Sequence, residues 1–139
     1  MDIEKAIALM IKAHNDTLDL DSNPVVLHPM AVGLMGKNDL QIKAGFLHDV
    51  VEDSNITLED LKNEGAEPEL IEVLNLLTHK ENVSYNDYIN NIIESKNKTA
   101  LIVKRNDLRH NLERGIKGCH EKQSLKYCKA LLKIEASIK

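Results

Sequence analysis

Apolar residues return along this chain every three or four positions and almost never alternate, which is the period of helices rather than strands. Ile3, Ile7, Met10, Ile11 and His14 draw such a stripe over residues 2 to about 14. The polar stretch Asn15 to Asn23, closed by Pro24, predicts a loop. His28-Pro29 opens a second helix, Pro29 suiting a first-turn position, and Gly36 stops it. Asn38 or Asp39 can cap a third, which runs to about Asp53. Thr57-Leu58-Glu59-Asp60 has the capping-box pattern of a short fourth helix that ends at Gly65. Pro68 begins a fifth, with Leu70, Ile71, Val73, Leu74 and Leu77 on its apolar side. Ser84 caps a sixth carrying Tyr85, Tyr88, Ile89, Ile92 and Ile93. Thr99 is the expected cap of a seventh, from Ala100 to about Arg114, with Gly115 as its stop. The last spans roughly His120 to Ile138, with Leu125, Cys128, Leu131, Leu132 and Ile134 facing inward. The expectation is all-α: one domain over residues 1–139, a compact bundle of about seven or eight helices.

Composition narrows the class. With 42% hydrophobic and 29% charged residues, the 139-residue chain can bury a proper core. No apolar run approaches the roughly 20 residues of a membrane span, so no membrane partner is expected. Met1-Asp2-Ile3-Glu4-Lys5 carries acids where a signal peptide would be basic, which points to the cytoplasm. A net charge of −4 argues against nucleic acid as a partner, because nonspecific binding rests on phosphate neutralisation. Cys119 and Cys128 read as free thiols. Association with copies of itself is left open.

One stretch breaks the apolar pattern. Phe46-Leu47-His48-Asp49-Val50-Val51-Glu52-Asp53 sets four ionisable groups inside an otherwise buried run. Such groups are costly to bury unless paired or bound to a metal. On a helix His48 and Glu52 share a face, and Asp49 and Asp53 form a second pair on the adjoining edge. The seventh helix holds a second anomaly: Asp107 and Asn111 lie one turn apart on a side marked as inward by Leu101, Leu108 and Leu112. His28 adds an imidazole at the start of an apolar segment.

His28, His48, Asp49 and Asp107 together offer two imidazoles and two carboxylates. That mixed set suits Mn, Fe or Zn and is too rich in nitrogen for an ordinary Ca or Mg cage. A divalent ion there acidifies water enough to make it a nucleophile near neutral pH. Glu52 or Asp53 can orient or deprotonate that water. Lys104, one turn before the site face, is the candidate for holding phosphate.

The same residues resemble the H…HD…D signature of HD-domain metal-dependent phosphohydrolases, and specifically the RelA/SpoT-type branch. Pro24…His28-Pro29-Met30-Ala31-Val32 is similar to its P-Y-x-x-H-P-L-x-V-A segment. Phe46 to Ser54 is similar to L-L-H-D-V-x-E-D-T, and Val103 to Leu112 to V-K-L-A-D-L-x-H-N-L. The resemblance runs from about residue 3 to residue 115. It implies an HD-domain helical bundle with one divalent ion, most often Mn2+, on His28, His48, Asp49 and Asp107. It implies hydrolytic roles for Glu52 and Asp53, and places Asn111 at a nucleotide-like phosphorylated substrate. The branch's reference activity removes the 3′-pyrophosphate of guanosine 3′,5′-bis(diphosphate). The loop before Pro24 departs from the family: Asp19 and Leu20 stand where a basic pair is expected, and Val25 replaces Tyr. Arg114 replaces a small polar residue.

Two readings compete with the hydrolase. One is a metal-bound nucleotide-binding or regulatory module with little catalysis, for which the altered loop speaks and the Glu52-Asp53 pair does not. The other is a structural helical partner. Among the remaining histidines, His14 reads as a satisfied core residue and His79 as a solvated or capping one. His110 is expected to point off the site face, and nothing converges on His120.

Overall fold

The structure, a computed structural model, describes residues 1–139. The chain forms α1 (Ile3–His14), α2 (Leu27–Leu34), α3 (Asp39–Leu47), α4 (Val50–Asp53), α5 (Leu58–Asn63), α6 (Pro68–Leu77), α7 (Tyr85–Ser95), α8 (Lys98–Lys117) and α9 (Glu121–Ile138). There are no strands, only an isolated bridge between Leu18 and Pro24. The all-α expectation holds, and α3 and α4 are the two halves of the predicted third helix. No helix is long and apolar enough to cross a membrane.

Short polar side chains start most of the helices by accepting otherwise unpaired backbone N–H groups. Asp2, Asn38, Ser84 and Asn97 each cap in this way, and Thr57 with Asp60 completes a reciprocal capping box. Asn97 and not Thr99 caps α8, accepting from the Ala100 N–H at 3.0 Å. Gly115 does not end α8 either. It lies buried inside the helix, where a Cβ would stand 2.5 Å from Ser124 Oγ, so it admits α9 to close contact.

Helix α8 is the axis of the fold and packs against α2, α3, α6, α7 and α9. Met10, Phe46, Leu47, Leu70, Leu74, Ile89, Ile92, Leu108 and Ile134 are fully buried around it in one continuous apolar cluster. Each such side chain contributes about 1.5–3 kcal/mol on removal from water. Three expected core residues face solvent instead: Ile11, Leu125 and Leu132 are 48%, 57% and 68% exposed. On α9 the inner face belongs to Ala130 and Ile134, because close approach to α8 favours the smaller residue at that register.

Helices α2 and α3 approach through glycines. A Cβ on Gly33 would stand 2.1 Å from the Phe46 ring, and one on Gly45 would stand 2.7 Å from the Gly33 Cα. That contact brings the start of α2 and the end of α3 together over the middle of α8.

A candidate metal centre between three helices

The first turn of α2 supplies His28, the junction of α3 and α4 supplies His48 and Asp49, and α8 supplies Asp107. At the junction the expected continuous helix breaks. His48 Nδ1 donates to the Gly45 carbonyl at 2.6 Å, the acceptor that the Asp49 N–H would take in an unbroken α-helix. The break turns His48 Nε2 inward and aims the Asp49 carboxylate at the same point.

One ligand atom from each of His28, His48, Asp49 and Asp107 lies within 4.8 Å of every other. His28 Nε2 is 2.7 Å from Asp107 Oδ1, and His48 Nε2 is 3.1 Å from both Asp107 Oδ1 and Asp49 Oδ2. His28 Nε2 and Asp49 Oδ2 are 3.8 Å apart. Neighbouring donors around an octahedral ion with bonds of about 2.1 Å stand about 3 Å apart, so the set fits a divalent cation. His28, His48 and Asp107 are buried, while Asp49 keeps an open edge toward a cavity of about 220 Å3.

His28, His48 and Asp107 are each held by a group outside the cluster. Lys104, itself buried, donates to Asp107 Oδ2 at 2.8 Å and leaves Oδ1 facing the cluster. Asn111 Nδ2 donates to Asp107 Oδ1 at 3.1 Å. His28 Nδ1 meets His110 Nδ1 at 2.7 Å. The electrostatics agree with a site built for positive charge. Burial alone would raise Asp107, but Lys104 and the two histidines hold it well below the usual carboxylate range. Burial would lower His48, yet Asp49 and Asp107 hold it well above the usual imidazole range.

The cavity over the cluster is lined by Glu52, His79, Tyr85, Tyr88, Lys104, Asn111, Arg114, Lys126 and Tyr127, besides three of the cluster residues. Glu52 enters it, with Oε1 fixed by the His79 N–H at 2.6 Å, and burial pushes its carboxyl up. Asp53 does not line the cavity, although burial, then Asp49 and Glu52, push it up to about 6. Lys104 and Asn111 both line the cavity.

The histidine readings need three corrections. His110 packs behind His28 and supports it, a role signalled by its i+3 spacing from Asp107 and by the His of the D-L-x-H-N-L block. His14 is buried but unsatisfied, with no hydrogen-bond partner for Nε2. His79 is half-buried and does more than meet solvent: it stacks on Tyr88 at 4.6 Å between ring centroids and bonds the Val83 carbonyl at 2.5 Å. His120 bonds Asp21 at 2.9 Å and ties the α1–α2 loop to the start of α9. Lys126 and Tyr127 carried no sequence signal, since only the packing of α9 on α8 brings them to the cavity.

No family model matches the chain. Two curated relatives share a segment of 67 residues with it: "Putative GTP diphosphokinase RSH1, chloroplastic" of Arabidopsis thaliana, 37% identical, and its namesake in Oryza sativa, 36% identical. The match covers 45% of this chain and 8% of each relative, so the chain spans only a small part of their length. A solved metazoan ortholog of SpoT, described as hydrolysing ppGpp, superposes with a TM-score of 0.75 over 98% of this chain and 90% of that one, at 18% identity. The fold is that of an HD-domain helical protein, and the resemblance read from the three motif blocks stands at that level.

Proposed function

We propose that this chain is a metal-dependent phosphohydrolase acting on a phosphate ester or pyrophosphate of a nucleotide-like substrate. One observation carries the reading: a four-residue donor cluster with cation-binding geometry forms the floor of a cavity whose walls hold a carboxylate and three basic side chains. His28, His48, Asp49 and Asp107 would hold the ion, with Mn2+ the first candidate and Fe2+ or Zn2+ as others. The ion supplies charge that acidifies water and offsets the phosphoryl oxygens.

The chain's own groups do the rest. Glu52, oriented by the His79 N–H, takes the proton from the attacking water on its free oxygen. Its raised pKa makes it a better base than an ordinary surface carboxylate. Asp53, four residues past Asp49 and carrying a raised pKa, is the second carboxyl; lying outside the cavity, it would return a proton to the leaving oxygen only through an intervening water. Lys126 and Arg114 face the incoming phosphates, Asn111 orients Asp107 and contacts substrate, and Lys104 holds Asp107 while adding positive charge to the wall. Tyr85, Tyr88 and Tyr127 give the cavity flat walls.

Guanosine 3′,5′-bis(diphosphate) is the first substrate to try, given the fold shared with the metazoan SpoT ortholog. The test is Mn2+-dependent release of phosphate or pyrophosphate from a nucleotide panel that includes it, with Glu52→Gln as control. Turnover that falls about 10²–10⁴-fold in Glu52→Gln is the expected result. One feature favours a second reading, a nucleotide-binding module with little catalysis: Asp19 lies against Arg114 at 3.4 Å and draws positive charge off the cavity wall. Tight nucleotide binding with no turnover under any divalent metal would select that reading and overturn the hydrolase.

A further inference from the structure

A second groove of about 360 Å3 runs between α7 and α9 and opens beside the metal-site cavity, with which it shares Tyr85 and Lys126. Lys122, Lys126, Lys129 and Lys133 line it, and no carboxylate does. Their spacing of four, three and four residues puts all of them on one face of α9. Over those residues the helix rises about 16 Å. None of the four is in an ion pair. Lys133 donates to the Asn86 amide at 2.7 Å, and Lys126 rests over the Tyr85 ring at 4.0 Å. In a chain of net charge −4, a carboxylate-free row of unpaired lysines leading to a metal centre is a local reversal of the overall field.

We propose that this groove binds a chain of linked phosphates, the polyphosphate extension of a substrate whose reacting phosphate lies at the metal cluster. The inference rests on the phosphohydrolase reading for the direction of the chain, though its test does not. Lysines are point charges that follow a phosphate chain without demanding one geometry. Single-stranded nucleic acid would need aromatic rings on which bases stack. The groove offers only Tyr85, and Lys126 covers it. The occupant is therefore phosphate without bases.

The experiment is calorimetric titration of the full chain with a linear polyphosphate of about ten phosphates. A chelator is present, so that no metal–phosphate contact contributes. Lys122→Ala/Lys129→Ala/Lys133→Ala removes three groove charges outside the metal-site cavity. Lys12→Ala/Lys62→Ala/Lys117→Ala, three exposed lysines outside the groove, removes the same net charge. At least about a tenfold loss of affinity and a flatter salt dependence in the groove variant, against under about twofold in the control, is expected for direct phosphate contacts. Equal losses in the two variants, or none in either, would overturn the proposal. So would a ten-residue oligothymidylate that competes as well as the polyphosphate. If the groove variant loses polyphosphate while no substrate is ever hydrolysed, the hydrolase reading fails and the groove assignment survives.

Discussion

His28 and His110 meet Nδ1 to Nδ1 at 2.7 Å, an arrangement that requires one ring to donate and the other to accept. With His28 Nε2 turned toward Asp107 and Asp49, the tautomer that leaves Nε2 free for a cation puts the proton on His28 Nδ1. His110 then accepts on Nδ1 as a neutral ring. Burial and the adjacent His28 lower its pKa, in keeping with that state. His110 thus fixes both the rotation and the tautomer of a proposed ligand without touching the ion. Replacing groups of this kind costs about 10- to 100-fold in metal affinity. His110→Ala is expected to weaken Mn2+ binding in that range, measured by metal titration, while the circular dichroism spectrum stays helical. Unchanged affinity would remove His110 from the site.

The contact of α2 with α3 has no slack. A Cβ on Gly33 would overlap the ring of Phe46, which is fully buried. Gly33→Ala should therefore destabilise the fold by about 1–3 kcal/mol, the usual cost of overpacking a core. It should also part His28 from His48, whose rings now lie 5.2 Å apart between centroids. Denaturant unfolding reads the first effect and metal titration the second. A variant of wild-type stability would mean that the helices are free to slide.

Asp53 carries a pH signature. Its carboxyl has a pKa of about 6 against an ordinary 3.8, with burial as the main cause and Asp49 and Glu52 adding to it. Between those values the folded chain holds a proton that the unfolded chain has released, so stability falls as pH rises through this window. Below the ordinary value both states are protonated and the contribution is fully present. In metal-free protein, Asp53→Asn should therefore gain stability relative to wild type above about pH 6 and gain none near pH 3.5. Thermal melts at the two pH values check the sign. A gain that is the same at both would assign the effect to packing.

Much of this was legible in the sequence because it is local chemistry. Caps at Asn38, Thr57 and Ser84 fall where a short polar side chain precedes an apolar stripe, and His28, His48, Asp49 and Asp107 stood out as ionisable groups in buried surroundings. What was missed depends on partners distant in the chain or on competition for one acceptor. The break after Leu47 follows from an imidazole taking the Gly45 carbonyl, which helical periodicity does not register. The inner face of α9 follows from how near α8 lies, so Ala130 displaced the larger Leu125 and Leu132. Asn97, two residues before Thr99, is the cap because its side-chain oxygen accepts from the Ala100 N–H three residues on.

Arg114 is shared between the cavity and the α1–α2 loop. One of its nitrogens donates to Asn111 Oδ1 at 2.6 Å and another approaches Asp19 Oδ2 at 3.4 Å. Asp19 is itself set in place by the Asp21 and Asn23 N–H groups on its other oxygen, at 2.9 and 3.0 Å. The acid thus holds Arg114 back from any anion in the cavity. Asp19→Asn can keep the carbonyl oxygen that accepts those two bonds and present an amide to Arg114, which frees the guanidinium. KM for a phosphorylated substrate is then expected to fall about three- to fivefold, the scale of a half-exposed ion pair, with kcat little changed. Arg114→Met should move KM the other way. The opposed signs are the check, read from steady-state kinetics on whichever nucleotide of the panel turns over. If both variants raise KM, Arg114 orders the loop and does not bind phosphate.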